Sequence, residues 1–244
     1  VFTRAIERGK GWRILEAGKR EVRRCDPCPD IDSYAVSADG AALAFVRRNA
    51  PRAGAPAFPS AEDGAELFFK GKRVGRAHPV VSTPAVDPSG AHVAYVVTKD
   101  GRRAVAIDEE KDPGPGYDFV LDLVFDPTGG RLAFVANKGG KESPGEPGLV
   151  VGGEWFAVVR GVDGKTKPVE HPPFLEVRDL TWDAKGERLA HAARDASGWR
   201  VVCGDARSEP HTYVGAPCFA ADGRSIGFGS RDDRELWRRV LALP

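Results

Sequence analysis

Residues 125 to 135 read Phe-Asp-Pro-Thr-Gly-Gly-Arg-Leu-Ala-Phe-Val. A large apolar residue is followed by a turn sequence with Asp, Pro and Gly, and then by alternating aliphatic, small and aromatic side chains. The glycine at position 129 supplies the positive φ that closes such a turn without a steric penalty. The stretch therefore predicts two strands joined by a tight turn.

The same pattern occurs five times along the chain, each time centred on a glycine. A large apolar residue stands four positions before the glycine, and an aliphatic residue, a small residue and a ring follow three, four and five positions after it. The repeat glycines are Gly40, Gly90, Gly129, Gly186 and Gly223. Because side chains alternate along a strand, the small residue and the ring lie on opposite faces, and a neighbouring sheet can approach the small residue closely. The repetition predicts an array of similar sheets.

Each repeat also offers a third strand and a shorter fourth strand. The third strands are predicted at Trp12–Leu15, Leu67–Phe69, Ala104–Ile107, Trp155–Val159, Trp199–Val202 and Leu236–Val240. The fourth strands are predicted at Glu21–Arg24, His78–Val81, Tyr117–Val120, Phe174–Val177 and Tyr213–Val214. Four strands in each repeat are typical of the blades of a β-propeller, and residues 1–244 are expected to form one such domain. Five glycine signatures favour five blades, and six third strands leave six blades open.

The stretch at 125–135 resembles the repeat signature of WD-repeat-like β-propellers of the TolB type, which also occurs in the propeller domains of prolyl-oligopeptidase-like peptidases. The resemblance extends over nearly the whole chain in five copies. It departs from the signature at Lys185, His191 and Ala220, and none of these residues breaks the hairpin. The resemblance implies a propeller fold. For function it implies a protein-binding platform, a periplasmic component or a gating domain, with enzymes in the minority.

The spacing of the repeat glycines marks two insertions. The steps between successive glycines are 50, 39, 57 and 37 residues. The two long steps contain Ala50–Gly64 and Gly139–Gly153, which are rich in Gly, Pro and small residues. We interpret both as loops inserted into a repeat of about 40 residues. Long loops on a rigid scaffold are frequent binding sites, so these loops and the mouth of the propeller channel are the expected binding surfaces.

Composition excludes several classes of function. The 36 Lys and Arg residues balance 35 Asp and Glu residues, and a net charge of +1 gives no basic field for nucleic acid. No apolar run reaches the roughly 18–20 residues of a membrane helix, so a soluble chain without membrane insertion is expected. The chain has no Met and begins at Val1, which leaves export processing and truncation open. An exported, periplasmic location is favoured over a cytoplasmic one.

Few residues have the spacing of a chemical site. Cys25-Asp-Pro-Cys28 can form a local disulfide, a pair of loop thiols, half of a zinc site or a redox pair. The first two are favoured, because no second pair completes a zinc site. Cys203 and Cys218 follow apolar strand patterns and are expected to be buried. His191 takes a ring position and is expected to be partly buried and hydrogen-bonded. Motifs for nucleotides, phosphates and a nucleophilic serine are absent, so no cofactor is expected.

Two functions remain open at the level of sequence. The favoured one is a non-enzymatic scaffold that presents its loops and channel mouth to a partner protein, with no catalytic residue. The alternative is a metal-dependent hydrolase or lactonase with carboxylates at the channel. Its candidate residues are Asp32, Asp122 and Asp179, which lie just before or within first strands of the repeats.

The two ends of the chain predict how the ring closes. Leu236–Val240 is a third strand with no fourth strand after it, whereas the N-terminal region supplies a third and a fourth strand before the first repeat glycine. An open ring would leave an unpaired strand edge, which promotes aggregation. We therefore expect residues 1–31 to complete the C-terminal blade.

Overall fold

The computed structural model describes residues 2–6, 12–16, 30–48, 65–75, 80–144 and 146–244. These residues contain 23 strands and no helix, and all strand pairs are antiparallel. The all-β class predicted from the sequence is confirmed. The described part of the chain has no helix that is long and apolar enough to span a membrane. The chain divides into two compact units, Val1–Pro113 and Gly114–Pro244.

The first unit contains three sheets. Strands β1 (Phe2–Ile6) and β2 (Trp12–Glu16) pair with each other. Sheet I is formed in order by β3 (Asp30–Val36), β4 (Leu43–Arg48), β5 (Glu66–Phe69) and β6 (Lys72–Val74). Sheet II is formed by β7 (Val80–Val86), β8 (Val93–Lys99) and β9 (Arg102–Ile107). The predicted strand Glu21–Arg24 lies outside the described residues, so closure of the ring by residues 1–31 stays a prediction.

The second unit contains three larger sheets and one hairpin. Sheet III comprises β10 (Phe119–Phe125), β11 (Arg131–Lys138), β14 (Glu154–Gly161) and β15 (Val169–Glu170), with the hairpin β12 (Lys141–Ser143) and β13 (Glu146–Val151) inserted between β11 and β14. Sheet IV comprises β16 (Glu176–Trp182), β17 (Leu189–Asp195), β18 (Gly198–Cys203) and β19 (Ala206–Arg207). Sheet V comprises β20 (Tyr213–Val214), β21 (Cys218–Phe219), β22 (Ser225–Asp232) and β23 (Glu235–Ala242), with β20 and β21 both paired to β22.

The fourth strands lie elsewhere than predicted. The observed ones, β6, β15 and β19, directly follow the third strands and are two or three residues long. The predicted Tyr117–Val120, Phe174–Val177 and Tyr213–Val214 run instead into β10, β16 and β20, the first strands of the following sheets. Edge strands are short and polar, so they lack the apolar pattern that marks the strands inside a sheet. The apolar segments that we expected at the edge belong to the inner strands.

Successive sheets pack the small residues of one face against the large residues of the next. In the first unit, Ala44 and Val46 of β4 share a core cluster with Val93 and Tyr95 of β8. In the second unit, the equivalent positions of β11 in sheet III share a cluster with Leu189 of sheet IV. Ala190 and Ala192 of β17 share another with Ile226 and Phe228 of β22. The aliphatic, small, ring pattern of the repeats therefore encodes the stacking of the sheets.

In four of the five repeats, the turn between the first and second strands contains a buried polar side chain, and the fifth repeat has Ala220 there. Asp87, Asp126 and Asp183 stand three residues before their repeat glycines and are at most 2% exposed. The His92 N–H donates to Asp87 Oδ1 at 2.6 Å, and the Glu187 N–H donates to Asp183 Oδ1 at 2.7 Å. Burial alone would raise the pKa of these two carboxyls, but hydrogen bonds from Ser89 and His92 to Asp87, and from the Arg188 and Glu187 N–H groups to Asp183, lower the pKa below its ordinary value.

The repeat glycines have two separate reasons to be glycine. All five adopt positive φ, between 67° and 74°. A Cβ on Gly186 would also lie 2.5 Å from Oδ2 of Asp126, the turn carboxylate of the preceding sheet. A Cβ on Gly90 would lie 2.6 Å from Cβ of Ala42 in the preceding sheet of the first unit. Gly90 and Gly186 therefore let their turns nest against the turn of the preceding sheet of the same unit.

His191 occupies the ring position of β17, but its surroundings differ from the expectation. It is 1% exposed, and neither ring nitrogen has a hydrogen-bond partner among the described residues. The rings of His171 and Phe174 lie 6.2 and 6.1 Å from its ring. Burial, with smaller contributions from His171 and Arg207, lowers the pKa of His191 to about 3. The prediction of a partly buried, hydrogen-bonded histidine was wrong, because the ring is almost completely buried and no polar atom of the described residues is placed to bond with its nitrogens.

The two cysteines of the second unit differ in burial. Cys203 in β18 is buried and free, as expected, and burial raises the pKa of its thiol. Cys218 is also free but exposed. The expectation of burial was wrong there because β21 is a two-residue segment of an interrupted first strand. Cys25 and Cys28 lie outside the described residues.

Replacement of Gly186 by Ala tests the nested turns. Gly204, in the turn between β18 and β19, has a φ of 59° and no atom within 4 Å of the position of its Cβ. Gly204→Ala should cost about 1–2 kcal/mol of backbone strain. Gly186→Ala should cost about 1–3 kcal/mol more, because its methyl group collides with Asp126. Equal losses in urea unfolding of the two variants would contradict the proposed contact.

Substitution of His191 by Phe tests the cost of its burial. In the folded chain His191 stays neutral until the pH approaches 3, whereas in the unfolded chain it takes up a proton below about pH 6.5. Below that pH the wild type should therefore lose up to about 1.4 kcal/mol of stability per pH unit from this group. His191→Phe places the ring of the other repeats here and should flatten that loss. Parallel stability curves for both proteins between pH 6.5 and 4 would be the opposite result.

Candidate functional site

The second unit contains a cleft between the first strands of sheets III and IV and the inserted hairpin. Its volume is about 480 Å³. We call it the hairpin cleft. It is lined by Leu121, Asp122, Leu149, Val150, Val151, Gly152, Trp155, Leu175, Glu176, Val177, Arg178 and Arg194. The cleft combines one of the two predicted insertions with one of the predicted carboxylates.

The hairpin is anchored to sheet III at its base. Asn137, in β11, is fully buried, and its Nδ2 donates to the Gly152 carbonyl at 3.2 Å while its Oδ1 accepts the Gly140 N–H at 2.8 Å. A Cβ on Gly153 would lie 2.6 Å from the Lys138 carbonyl oxygen. Small residues at both ends of the hairpin thus allow close backbone contact. The segment Gly139–Gly153, predicted as a loop, is a β-hairpin fixed to the sheet.

Two aspartates occupy equivalent bulges in adjacent first strands. Asp122 and Asp179 each stand seven residues before a repeat glycine, and their φ values are 51° and 56°. The pairing register shifts at both places, between Leu121 and Val124 and between Arg178 and Thr181. A bulge turns a side chain away from its regular face. Non-glycine residues in this conformation are strained, although Asp tolerates it better than most residues.

Asp122 is a carboxylate without a cation beside it. It has no hydrogen bond or ion pair with another residue of the described part of the chain. Desolvation by the surrounding protein raises its pKa, and the negative charge of Asp179 raises it further. Asp179 itself lies 3.7 Å from Nη1 of Arg178. The bulge therefore holds Asp122 in a position where its charge is poorly compensated.

The two arginines of the cleft are engaged by other groups. Arg178 lies between the rings of Trp199 and Tyr213, at 4.2 and 4.7 Å from their centroids, and its Nη2 donates to the Val214 carbonyl at 2.9 Å. Stacking on two rings and a hydrogen bond fix the guanidinium. Arg194 Nε donates to Oε2 of Glu176 at 3.2 Å. Neither arginine forms an ion pair or a hydrogen bond with Asp122 in the described part of the chain.

Four large apolar side chains are exposed around the hairpin cleft. Leu121 and Leu175 are 48% and 51% exposed, and Leu149 and Val151 of the hairpin are 46% and 49% exposed. Each pair lies in or beside strands that line the cleft. A cluster of exposed apolar side chains next to a cavity is typical of a binding surface.

A second cleft of about 440 Å³ lies at the turn between β17 and β18. Its charged groups are paired: the Ser197 hydroxyl donates to Asp195 at 2.5 Å, Arg200 lies 2.9 Å from Asp195, and His211 Nδ1 lies 2.9 Å from Asp232. The hairpin cleft is the stronger candidate, because it has both an uncompensated charge and exposed apolar side chains.

The remaining candidate residues from the sequence have different outcomes. Asp122 and Asp179 lie in neighbouring sheets, and only Asp122 lines the hairpin cleft. Asp32 lies in β3, and its side chain is outside the described part of the structure. The pair Cys25 and Cys28 and the insertion 50–64 are outside it as well. Among the described residues, no group of three or more His, Cys, Asp or Glu side chains is placed to hold a metal ion.

Sequence reasoning did not single out Glu176, Arg178 or the exposed leucines. A signal exists, because Arg178 and Leu121 immediately precede the bulged aspartates in equivalent first strands. The repeat pattern begins six residues before each glycine, whereas Leu121 and Arg178 stand eight residues before theirs. The bulge also breaks the alternation of faces, so the periodicity does not show which side chains point into the cleft.

Comparison with solved structures identifies the fold. The β-propeller domain of the Trilobed protease from Pyrococcus furiosus matches with a TM-score of 0.54 and 10% identity, over 87% of this chain and 70% of that chain. The fold is a β-propeller. An oligogalacturonate lyase in complex with manganese matches with a TM-score of 0.53 and 12% identity, over 100% of this chain and 74% of that chain.

TolB from Acinetobacter baumannii also matches the propeller, with a TM-score of 0.43 and 14% identity, over 95% of this chain. The chain spans 56% of the length of that protein. No family model matches the sequence, and no curated protein matches it. At these identities the likeness shows the fold alone. The blade number and membership of the TolB-type family stay predictions.

Replacement of Asn137 by Ala tests the anchoring of the hairpin. The variant leaves the Gly140 N–H without its acceptor and should cost about 1–3 kcal/mol. Backbone amides of residues 141–151 should exchange with deuterium at least tenfold faster than in the wild type, while those of β16 keep their rates. An increase of the same size in β16 would indicate general destabilisation, and unchanged rates in the hairpin would contradict the anchor.

Proposed function

We propose that this propeller is a non-enzymatic scaffold that binds a segment of a partner protein in the hairpin cleft. The observation that carries the proposal is the exposed apolar pair on the hairpin, Leu149 and Val151, which lines the same cleft as the exposed side chains of Leu121 and Leu175. A rigid sheet scaffold with an inserted, anchored hairpin favours recognition of a protein surface.

The dimensions of the cleft support an extended peptide segment as the ligand. A volume of about 480 Å³ accommodates a few side chains. Apolar and charged side chains line the same cleft, and they match a segment with aliphatic side chains and at least one polar side chain. Binding there removes the exposed leucines and valine from water, which contributes about 25 cal/mol for each Å² buried.

Both walls of the cleft are preformed, which lowers the cost of binding. The hairpin is held by the side chain of Asn137, and β16, which also lines the cleft, is paired with β17 in sheet IV. Preorganised surfaces lose less conformational entropy when a partner binds.

Site-specific photo-crosslinking in the native cell tests the proposed function. A benzophenone amino acid at Val151 should form adducts with one or a few proteins. The matched control is Val169 in β15, which is 59% exposed against 49% for Val151 and does not line the cleft. We expect adducts at Val151 that are absent at Val169 and that disappear when Leu149 is replaced by Ser. Equal adducts at both positions, or none at Val151, would contradict the proposal.

A further inference from the structure

The charged side chains that line the hairpin cleft differ in whether they have a partner. Among the charged groups that line it, Glu176 and Arg194 form a pair at 3.2 Å, and Arg178 is engaged by Asp179, the Val214 carbonyl and two aromatic rings. Asp122 has no such partner in the described residues. The uncompensated charge of the cleft is therefore negative.

This charge lies in the same cleft as exposed apolar side chains. Leu121 precedes Asp122 in the chain, and Leu149 and Val151 line the same cleft from the hairpin. An anionic ligand would meet the Asp122 carboxylate, with Asp179 nearby, while both arginines are already engaged. A cation there gains an ion pair with a carboxylate that has no other partner among the described residues, and a charge-assisted hydrogen bond is stronger than one between neutral groups.

We propose that the bound segment carries a lysine or arginine side chain between aliphatic residues, with its cation paired to the carboxylate of Asp122 and the aliphatic side chains packed on Leu149 and Val151. This inference rests on the proposed function, because it names the chemistry of the segment that the hairpin cleft binds. The strained backbone of Asp122 fits this role: the bulge places a carboxylate where a regular strand would not.

Selection of displayed random heptapeptides on the immobilised full chain tests this inference. The wild type is compared with Asp122→Asn, in which the amide keeps the size of the side chain and tolerates the positive φ. The matched control is Asp233→Asn, at an exposed turn residue with a φ of 52° that does not line the cleft. A third variant, Leu149→Ser with Val151→Ser, removes the apolar wall. Thermal melts establish that each variant is folded.

We expect the wild type and Asp233→Asn to enrich peptides with Lys or Arg flanked by aliphatic residues. On Asp122→Asn the aliphatic preference should persist and the basic preference should disappear. A synthetic peptide from the selected set should bind Asp122→Asn at least about tenfold more weakly than the wild type, by fluorescence anisotropy. Its analogue with norleucine in place of the basic residue should lose the difference between the two proteins.

The other outcomes separate the two proposals. Aliphatic peptides without a basic preference, lost on the double serine variant, would overturn the role of Asp122 and leave the proposed function standing. A basic preference that persists on Asp122→Asn would overturn it as well. Failure to enrich any peptide family, or enrichment that is unaffected by the double serine variant, would overturn both the inference and the proposed binding of a segment in this cleft.

Discussion

In sheets III and IV, the buried carboxylate in the turn between the first and second strands is the constraint on which the packing of the sheets depends. A carboxylate that is almost completely buried must be hydrogen-bonded, and Asp126 and Asp183 obtain their bonds from backbone N–H groups just beyond the turn. The bonds fix the turn, and the fixed turn receives the glycine of the next repeat: Gly186 lies directly against Asp126. Local hydrogen bonding therefore sets the spacing of successive sheets.

That spacing sets the geometry of the hairpin cleft. The first strands β10 and β16 begin beside the cleft and end at the nested turns. Each of these strands therefore connects the packing of the turns to the walls of the cleft. The bulges at Asp122 and Asp179 interrupt these strands between the two ends. Strain of about 1–3 kcal/mol at each bulge is tolerated because the packed strands on either side hold the backbone. A binding site placed on such strands is more precise than one on a free loop.

Much of this fold is predictable from the sequence, because the residues that form each hairpin also specify how neighbouring sheets pack. The glycine, the turn residues and the aliphatic, small, ring pattern locate the first two strands of a sheet, and apolar runs such as Trp155–Val159 locate the third. The fourth strands were misplaced because a short edge strand such as Ala206–Arg207 has no apolar pattern to detect.

The candidate site was only partly predictable. Asp122 and Asp179 were identified as candidates from their place in first strands, but the engagement of Arg178 by Trp199 and Tyr213 depends on contacts between residues distant in sequence. The repeat pattern correctly placed His191 at a ring position. Its ring nitrogens have no hydrogen-bond partner among the described residues because of side chains that are distant in sequence, and the pattern does not contain that information.

A double-mutant cycle between Asp126 and Gly186 tests most directly whether nested turns hold the sheets together. Asp126→Ser is the appropriate replacement, because Ser37 takes this position in the first repeat and its hydroxyl accepts the Ala42 N–H at 2.9 Å. The free energy of unfolding is measured for the wild type, both single variants and the double variant. The account predicts that Gly186→Ala costs less in the Asp126→Ser background than in the wild type, by about 0.5–3 kcal/mol. The same cost in both backgrounds would contradict a direct contact between the turns.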